Sequence, residues 1–323
     1  MPRTSLLEGK RVIVTGCWYK PIEHIFHDFV DGKPTHDEIG ISTSKFTGRI
    51  DMEDQYKEIL IEMKMNIGTA IAATLARNGA EVIMVSHNEK KIREIKSALL
   101  EQLSKDIDIK DWVDFFHKSV DLLDEESVKN FVSKLPIDKP IYRVQSIWLW
   151  AGDYQLKNDN PYLPLEEIDV WLIQAETTTA LKGTHLMMKE FLPIFKKQQE
   201  SRIVIVSSMS AIRSYILWAS HCSAKAAIDR YANTAMLELY KNKIRVSTVR
   251  PWTVDTGLYD NLETRKVLRN INKEYNGSWE TDDDITLMPP SAVWQVVNTI
   301  LTSPAHIAEV NMISKSQPPH QGS

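Results

Sequence analysis

The chain has 323 residues, of which 43% are hydrophobic and 25% are charged, and its formal net charge is −4. This length allows one large domain or two ordinary ones with a full hydrophobic core. The balanced charge argues against a nucleic-acid-binding protein, and two cysteines, Cys17 and Cys222, are too few for a disulfide framework or a cysteine zinc site. The sequence has neither an apolar run of about 18 residues nor a secretory signal, so we expect a soluble protein of the reducing cytoplasm without membrane association.

Short apolar runs alternate with amphipathic segments along most of the chain, which predicts strands connected by helical crossovers. The predicted elements are strands at 11–15, 81–86, 112–120, 146–150, 202–207 and 244–249, and helices at 67–78, about 89–103, 124–135, about 165–197 and 219–240. Such alternation is typical of a parallel sheet covered by helices on both faces. We therefore predict a doubly wound, Rossmann-like α/β fold in a single domain over residues 1–323.

A long polar segment, residues 17–64, separates the first predicted strand from the first predicted helix. A right-handed strand–helix–strand unit has no place for such a segment inside the sheet, so we interpret it as an insertion that packs outside the core, near the mouth of a site. The segment contains several histidines and acids, but their spacing matches no metal-binding template. We predict no metal site.

Two short motifs flank this insertion. Thr15-Gly16 follows the first strand, and Asn66-Ile67-Gly68 precedes the first helix. Together they resemble the split halves of the TGxxxGxG turn of the short-chain dehydrogenase/reductase family, with Asn66 in place of a glycine. In that family the turn and the helix N-terminus receive the pyrophosphate of a nicotinamide cofactor. The resemblance implies that these five residues bind the cofactor.

The resemblance extends over residues 8–16 and 65–315. NAD-dependent members of the family carry an acidic residue after the second strand, and this sequence has none there. His87 lies near the position where NADP-dependent members carry a basic residue. These two observations favour NADP as the cofactor, and NAD stays open. Asp121-Leu122 matches the family's aspartate beside the adenine, although this aspartate could equally cap a helix. The resemblance implies further cofactor residues at three places. Ala151 and Gly152 occupy the position of the family's NAG motif, and Lys225 belongs to the catalytic helix. Pro251 and Thr256 belong to a loop that resembles the family's PGxxxT motif, with Trp252 in place of its glycine.

The catalytic motif of the family is present in altered form. Ser208 follows the fifth strand, and thirteen residues later His221 occupies the position of the family's tyrosine. Lys225 follows four residues after His221, which places both side chains on one face of a helix. Ala180 replaces the family's catalytic asparagine. The resemblance implies that Ser208, His221 and Lys225 are the catalytic residues.

The histidine changes the chemistry of this site. In the family, the tyrosine gives a proton to the substrate oxygen, the lysine lowers the tyrosine pKa and holds the ribose, and the serine hydrogen-bonds the carbonyl. An imidazole can act as acid or base, but it reaches less far. Because the cationic Lys225 disfavours an imidazolium, we expect a neutral His221 that acts as a base or through a water, with activity rising with pH through the histidine range.

Three functions stay open at this point. The first is an NADP(H)-dependent oxidoreductase that acts on a small carbonyl or alcohol substrate. The second is a non-redox isomerase or dehydratase that uses His221 as a base, and the third is a catalytically silent protein that binds a nucleotide or a partner. The family commonly forms dimers or tetramers, so the resemblance also implies a homodimer or homotetramer, and it places a substrate lid at residues 258–287.

Overall fold

The computed structural model describes residues 7–17, 19–21, 63–105, 115–146, 163–256 and 287–313. The strands and α-helices in these ranges are β1 (Arg11–Thr15), β2 (Tyr19–Pro21), β3 (Met63–Met65), α1 (Ile67–Arg77), β4 (Glu81–Ser86), α2 (Glu89–Lys105), β5 (Phe115–Ser119), α3 (Glu125–Ser133), β6 (Ile141–Ser146), α4 (Val170–Phe195), β7 (Ser201–Val206), α5 (Ala219–Leu239), β8 (Ile244–Pro251), α6 (Pro290–Thr302) and β9 (Glu309–Met312). Within the described ranges, no helix is both long and apolar enough to cross a membrane.

Seven of these strands form one sheet in the order β5-β4-β1-β6-β7-β8-β9. Every neighbouring pair in it runs parallel. The chain moves outward from β1 to β5 and then returns to place β6 on the other side of β1. This confirms the predicted doubly wound, Rossmann-like fold, and it opens a crevice beyond the carboxyl ends of β1 and β6.

Both faces of the sheet are buried under helices. Because successive side chains of a strand point to opposite faces, Val12 and Val14 pack with α1, α2 and α6, whereas Ile13 packs with α3, α4 and α5. Gly79, in the left-handed conformation at φ 79°, follows α1 and turns the chain into β4. With both faces covered, side chains can meet a ligand only where the strands end.

Strand β6 begins at Ile141, five residues before the strand that the sequence predicted at 146–150. Two polar residues, Arg143 and Gln145, hid this strand from a search for apolar runs, yet both are at most 1% exposed. Arg143 Nη2 donates to Gln145 Oε1 at 2.5 Å, and Gln145 Nε2 donates to Thr184 Oγ1 on α4 at 2.5 Å. Among the described residues, Nε and Nη1 of Arg143 have no hydrogen-bond partner.

The two ends of the insertion pair with each other. Strands β2 and β3 form an antiparallel ladder in which Tyr19 lies opposite Met65 and Pro21 lies opposite Met63. This ladder is separate from the seven-stranded sheet. Residues 22–62 and most of the predicted lid, 257–286, lie outside the described residues, so their roles stay predictions.

A buried ion pair fastens α5 to the sheet. Arg250 of β8 donates from Nε and Nη2 to the two carboxylate oxygens of Asp229 on α5, at 2.7 and 2.8 Å. Its Nη1 donates to Glu309 and Asn311 of β9, at 2.7 and 3.1 Å. One guanidinium therefore joins α5, β8 and β9. It fixes α5 at Asp229, one helical turn after Lys225.

Removing residues 22–62 and joining Pro21 to Met63 through Asn-Gly should leave a folded protein. The ladder would then become a hairpin with a two-residue turn, a connection that Asn-Gly favours. We expect one cooperative thermal transition by circular dichroism, within about 4 °C of the parent. A molten or aggregated product would show that the insertion belongs to the core.

Replacing Asp229 by Asn should lower the free energy of unfolding by about 3 kcal/mol, because the buried Arg250 would lose its bidentate partner. Urea unfolding measures this change. Glu238→Gln is the matched control, since it removes an exposed carboxylate from the same helix and should change stability by less than about 0.5 kcal/mol. Equal stabilities of the two variants would contradict the anchoring role of the pair.

Candidate active site

The predicted site residues follow the carboxyl ends of the strands. Thr15 ends β1, His87 follows β4, Asp121 follows β5, Ser208 follows β7 and Pro251 ends β8. Because the strands are parallel, all these ends lie on one edge of the sheet. The structure thus brings together residues from five separate parts of the sequence, at the edge where ligands bind in doubly wound sheets.

The turn after β1 lies directly against the start of α1. A Cβ atom at Gly68 would be 2.7 Å from the carbonyl oxygen of Gly16 and 2.9 Å from that of Thr15, so this position accepts only glycine. Gly16 has φ 72° and donates its N–H to Val85 at 3.0 Å. The amide groups at a helix N-terminus attract anions, and here they lie at the sheet edge beside β1. This geometry fits the pyrophosphate of a dinucleotide.

Asn66 fastens this turn, although it replaces a family glycine. Its side-chain oxygen accepts the N–H of Thr69 at 2.9 Å and so caps α1, while its Nδ2 donates to the carbonyl of Gly16 at 2.5 Å. Ile67 is the first residue of α1. The two halves of the motif, separated by the insertion in sequence, are therefore joined by direct hydrogen bonds.

The predicted adenine-side residues lie on the opposite half of the sheet edge from the catalytic residues. His87 is exposed, and its carbonyl accepts the hydroxyl of Ser119 at 2.9 Å. The Asp121 carboxylate accepts the N–H of Leu123 at 2.8 Å within the turn after β5. The helix-capping role that the sequence left open for Asp121 belongs instead to Asp124, which accepts the N–H of Glu126 at 3.1 Å and is the N-cap of α3. Leu122 packs against the core on the α3–α5 face. These contacts leave the His87 and Asp121 side chains at the surface.

Ser208 begins a short 3-10 helix, Met209–Ala211, directly after β7. Its hydroxyl accepts the N–H of Ser210 at 3.1 Å, which holds the side chain at the sheet edge. The hydroxyls of its neighbours Ser207 and Ser210 are buried and lack a hydrogen-bond partner within the described ranges. Buried hydroxyls normally find partners, so these groups fit a polar ligand beside Ser208.

His221 lies in the first turn of α5 and is partly buried. Its ring meets Trp218 edge to face, with 5.2 Å between ring centroids. Burial and the nearby charge of Lys225 lower the pKa of His221 to about 3. This pKa agrees with the neutral imidazole expected from the sequence. It also predicts that activity does not change through the ordinary histidine range, in place of the rise expected from the sequence.

An aromatic wall adjoins His221, formed by Tyr215, Trp218 and Trp252. The Tyr215 ring lies 5.0 Å from Trp252 and 5.9 Å from Trp218, centroid to centroid. Trp252 follows Pro251, and its N–H donates to Met312 at 3.0 Å, so the residue that replaces the family's glycine is fixed by β9. Thr256, 4% exposed, follows in the same loop. These partly buried rings form an apolar side of the region around His221.

Lys225 is buried one turn after His221, and the charge of a carboxylate that the sequence analysis missed acts on it. Burial lowers the pKa of Lys225 to about 8, while the charge of Glu176 opposes this shift. Glu176, on α4, is 4% exposed and accepts a hydrogen bond from the Ser220 hydroxyl at 2.5 Å. An acid four residues before Ala180, and thus on the same helix face, was the available signal.

Of the thirteen predicted cofactor residues, Ala151 and Gly152 lie outside the described residues, and their contact with a cofactor stays a prediction. The others divide into three groups along the edge. One group surrounds the start of α1, a second follows β4 and β5, and the third accompanies α5 and the loop after β8. Their order along the edge suits an extended dinucleotide.

Comparisons with known proteins agree with this geometry. The family model for short chain dehydrogenases matches residues 63–266. An uncharacterized oxidoreductase, YxbG of Bacillus subtilis, is 27% identical over 200 residues, which cover 62% of this chain and 67% of that protein. An NADP-dependent 3-hydroxy acid dehydrogenase of Schizosaccharomyces pombe is 25% identical over 162 residues, covering 49% and 58%.

Among solved structures, an alcohol dehydrogenase from the archaeon Thermococcus sibiricus, complexed with 5-hydroxy-NADP, superposes with a TM-score of 0.62. Its sequence is 18% identical, and the match covers 97% of this chain and 99% of that one. The likeness shows a shared fold. Because the family model spans more than half of the sequence and the sheet, turn and helices agree with it, the chain belongs to the short-chain dehydrogenase/reductase family.

Proposed function

We propose that this protein is an NADP(H)-dependent oxidoreductase that acts on a small carbonyl or alcohol substrate, with His221 in place of the family's tyrosine. The main support for this proposal is the close contact of Gly68 with Thr15 and Gly16. It keeps the proposed dinucleotide-binding turn closed, although the insertion separates its two halves in sequence. The NADP-dependent relative and the neighbour complexed with 5-hydroxy-NADP support NADP as the cofactor, with NAD as the alternative.

The cofactor would lie along the carboxyl edge of the sheet. The start of α1 would bind its pyrophosphate, His87 its additional phosphate and Lys225 its nicotinamide ribose. The proposed contact residues are Thr15, Gly16, Asn66, Ile67, Gly68, His87, Asp121, Leu122, Ala151, Gly152, Lys225, Pro251 and Thr256. Bound NADPH would supply the hydride.

His221 acts in this proposal as a neutral hydrogen-bond donor. With its pKa at about 3, the ring carries no extra proton near neutral pH, and it donates an N–H to the substrate oxygen, as neutral histidines do elsewhere in polarising carbonyls. The hydroxyl of Ser208 is the second donor. Lys225, whose pKa is about 8, is protonated near neutral pH and supplies the proton that the substrate oxygen takes up.

The two other functions receive less support. A non-redox isomerase or dehydratase would use His221 as its base, but an imidazole whose pKa is about 3 takes up a proton poorly. A catalytically silent protein would not need a lysine and a carboxylate buried together in the site, since burying charges is costly.

We also propose a homodimer or homotetramer that forms through α4 and α5. Large apolar side chains are exposed on these helices, with Val170 at 66%, Trp171 at 48% and Leu237 at 76%. Both cysteines, Cys17 and Cys222, are free thiols, which supports a reducing cytoplasmic location.

Replacing Gly68 by Ala should weaken NADPH binding at least tenfold, because the new methyl group would push α1 away from the turn. Titration calorimetry measures the affinity, and circular dichroism checks that the variant is folded. Gly9→Ala is the control, because a Cβ at Gly9 meets nothing within 4 Å. Gly9 has φ 71°, where alanine is strained, so circular dichroism checks the fold of this variant as well. Equal affinity of the Gly68 and Gly9 variants, or no binding of either NADPH or NADH to the parent, would contradict the proposal.

The pH dependence of activity shows whether the titration of His221 or that of Lys225 limits the reaction. For reduction of a panel of small aldehydes and ketones, kcat/KM should stay level between about pH 5.5 and 7.5 and fall above about 8, as Lys225 loses its proton. His221→Phe should lower kcat by about 10²–10⁴-fold, and His221→Gln, which keeps an N–H donor, should lose less. A titration step near pH 6.5 in the parent would refute a permanently neutral His221.

A further inference from the structure

Arg213 lies in the segment that joins Ser208 to His221. Directly after Ser208 the chain makes a tight helical turn, and the N–H of Arg213 donates to the carbonyl of Met209 at 3.0 Å. Five residues at the rise of a 3-10 helix span about 10 Å, so the backbone of Arg213 lies within about 10 Å of that of Ser208. Arg213 is therefore close to the carboxyl edge of the sheet, on the serine side of the candidate site.

The guanidinium of Arg213 is a donor without an acceptor in the described part of the chain. Arg213 is partly buried, its Nη1 atom is shielded from water, and this atom has no hydrogen-bond partner among the described residues. Arg250, by contrast, binds the carboxylates of Asp229 and Glu309. A shielded donor that lacks an acceptor costs folding free energy, so its presence beside a candidate site points to an acceptor on a ligand.

Two hydroxyls and two aromatic rings accompany Arg213 in the same segment. Ser207 and Ser210 are each 3% exposed, and their hydroxyls also lack a hydrogen-bond partner within the described ranges. The rings of Tyr215 and Trp218, with 5.9 Å between centroids, follow Arg213 toward α5. The segment thus combines several donors and one positive charge with an apolar surface. This combination suits a small molecule that carries both an apolar part and a negative charge.

We propose that Arg213 binds a carboxylate of the substrate, which makes the small carbonyl or alcohol compound an oxo acid or a hydroxy acid. A hydrogen bond from a guanidinium to a carboxylate is charge-assisted and stronger than a neutral one. The one cation of this segment matches the single charge of a carboxylate, whereas a phosphate dianion would require a second cation. That the anion is a substrate rests on the proposed function, whereas its binding at Arg213 does not.

The distance between Arg213 and Ser208 limits the size of the acid. Ser208 is a proposed donor to the substrate oxygen, and the arginine side chain covers part of the roughly 10 Å between the two backbones. Only a few bonds can therefore separate the carboxylate from the reacting carbon. Acetoacetate and levulinate, which have one and two methylene groups between ketone and carboxylate, are suitable probes. Acetoacetamide and levulinamide have nearly the same shapes without the charge, and they are the matched controls.

The first test compares each acid with its amide in reduction by NADPH, in which the ketone carbon takes up a hydride and the oxygen a proton. In the parent, kcat/KM should be at least tenfold higher for the acids. Arg213→Gln should raise KM for the acids roughly 10–100-fold, as expected for the loss of a hydrogen bond to a charged group, and should leave KM for the amides unchanged. Arg213→Lys should keep part of the preference. Arg230→Gln, which removes an exposed arginine of α5, should behave like the parent.

The second test measures binding without turnover. Titration calorimetry, with and without NADP⁺, should show that levulinate binds the parent and binds Arg213→Gln at least tenfold more weakly. Because Nη1 has no partner in the described chain, Arg213→Gln should leave the urea midpoint of the free protein unchanged or raise it. A lower midpoint together with unchanged levulinate binding would show that Arg213 is only structural. Tighter binding of inorganic phosphate than of levulinate would overturn the assignment of a carboxylate.

The two tests together separate this inference from the proposed function. Levulinate binding that depends on Arg213, without NADPH oxidation by any of the ketones, would sustain the carboxylate site and refute the oxidoreductase. Equal reduction of acids and amides, with no change of KM in Arg213→Gln, would refute the carboxylate site alone. If Arg213→Gln folds poorly, Arg213→Lys still decides, because a loss of folded protein lowers the rates for acids and amides equally.

Discussion

The site depends on the absence of a side chain at Gly68. Gly68 allows α1 to begin in contact with the carbonyls of Thr15 and Gly16, and any larger residue would separate the helix from the first strand. The side chain of Asn66 then ties the two halves of the turn together. Because this local contact fixes the start of α1, the rest of the doubly wound sheet can be built around it whatever the length of chain between residues 17 and 64.

Burial sets the chemistry at the other end of the site. His221 and Lys225 lie on α5, and Glu176 lies on the adjacent helix α4; Lys225 and Glu176 are buried, and His221 is partly buried. Desolvation lowers the pKa of His221 and of Lys225 and raises that of Glu176, so each group is moved toward its neutral form. The opposite charges of Lys225 and Glu176 act against this tendency at both groups.

Much of the fold could be predicted from the sequence because most strands are short apolar runs. Strands β1 and β4 agree with their predictions residue for residue, and α1 begins at Ile67 as predicted. The start of β6 was missed because Arg143 and Gln145 are polar, and their burial depends on a contact between them and on one with Thr184 of α4, which a local pattern does not contain. Residues 147–150 of the predicted strand lie outside the described residues. The pairing of β2 with β3 joins segments more than forty residues apart, and it was missed for the same reason.

The sequence analysis identified the site residues that follow a motif spacing. It missed the features that depend on contacts between separate elements. Ser208, His221 and Lys225 follow from counting along the chain; Ser208 comes after β7, and His221 and Lys225 lie in the first two turns of α5. Glu176 acts across the interface of two helices, and the neutral state of His221 depends on Trp218 and on burial. Neither feature has a signature in the local sequence.

Arg143 gives this formally acidic protein a positive interior. Burial lowers the pKa of its guanidinium to about 9, which still leaves the group charged at neutral pH, and in the part of the chain that the structure describes two of its nitrogens have no hydrogen-bond partner. A charge without a close counter-ion in a medium of low dielectric constant is weakly screened, so its potential extends well beyond its own contacts. Strand β6, which carries it, borders the crevice beside β1. This buried positive charge therefore offsets, inside the central part of the sheet, some of the net charge of −4 that the whole sequence carries.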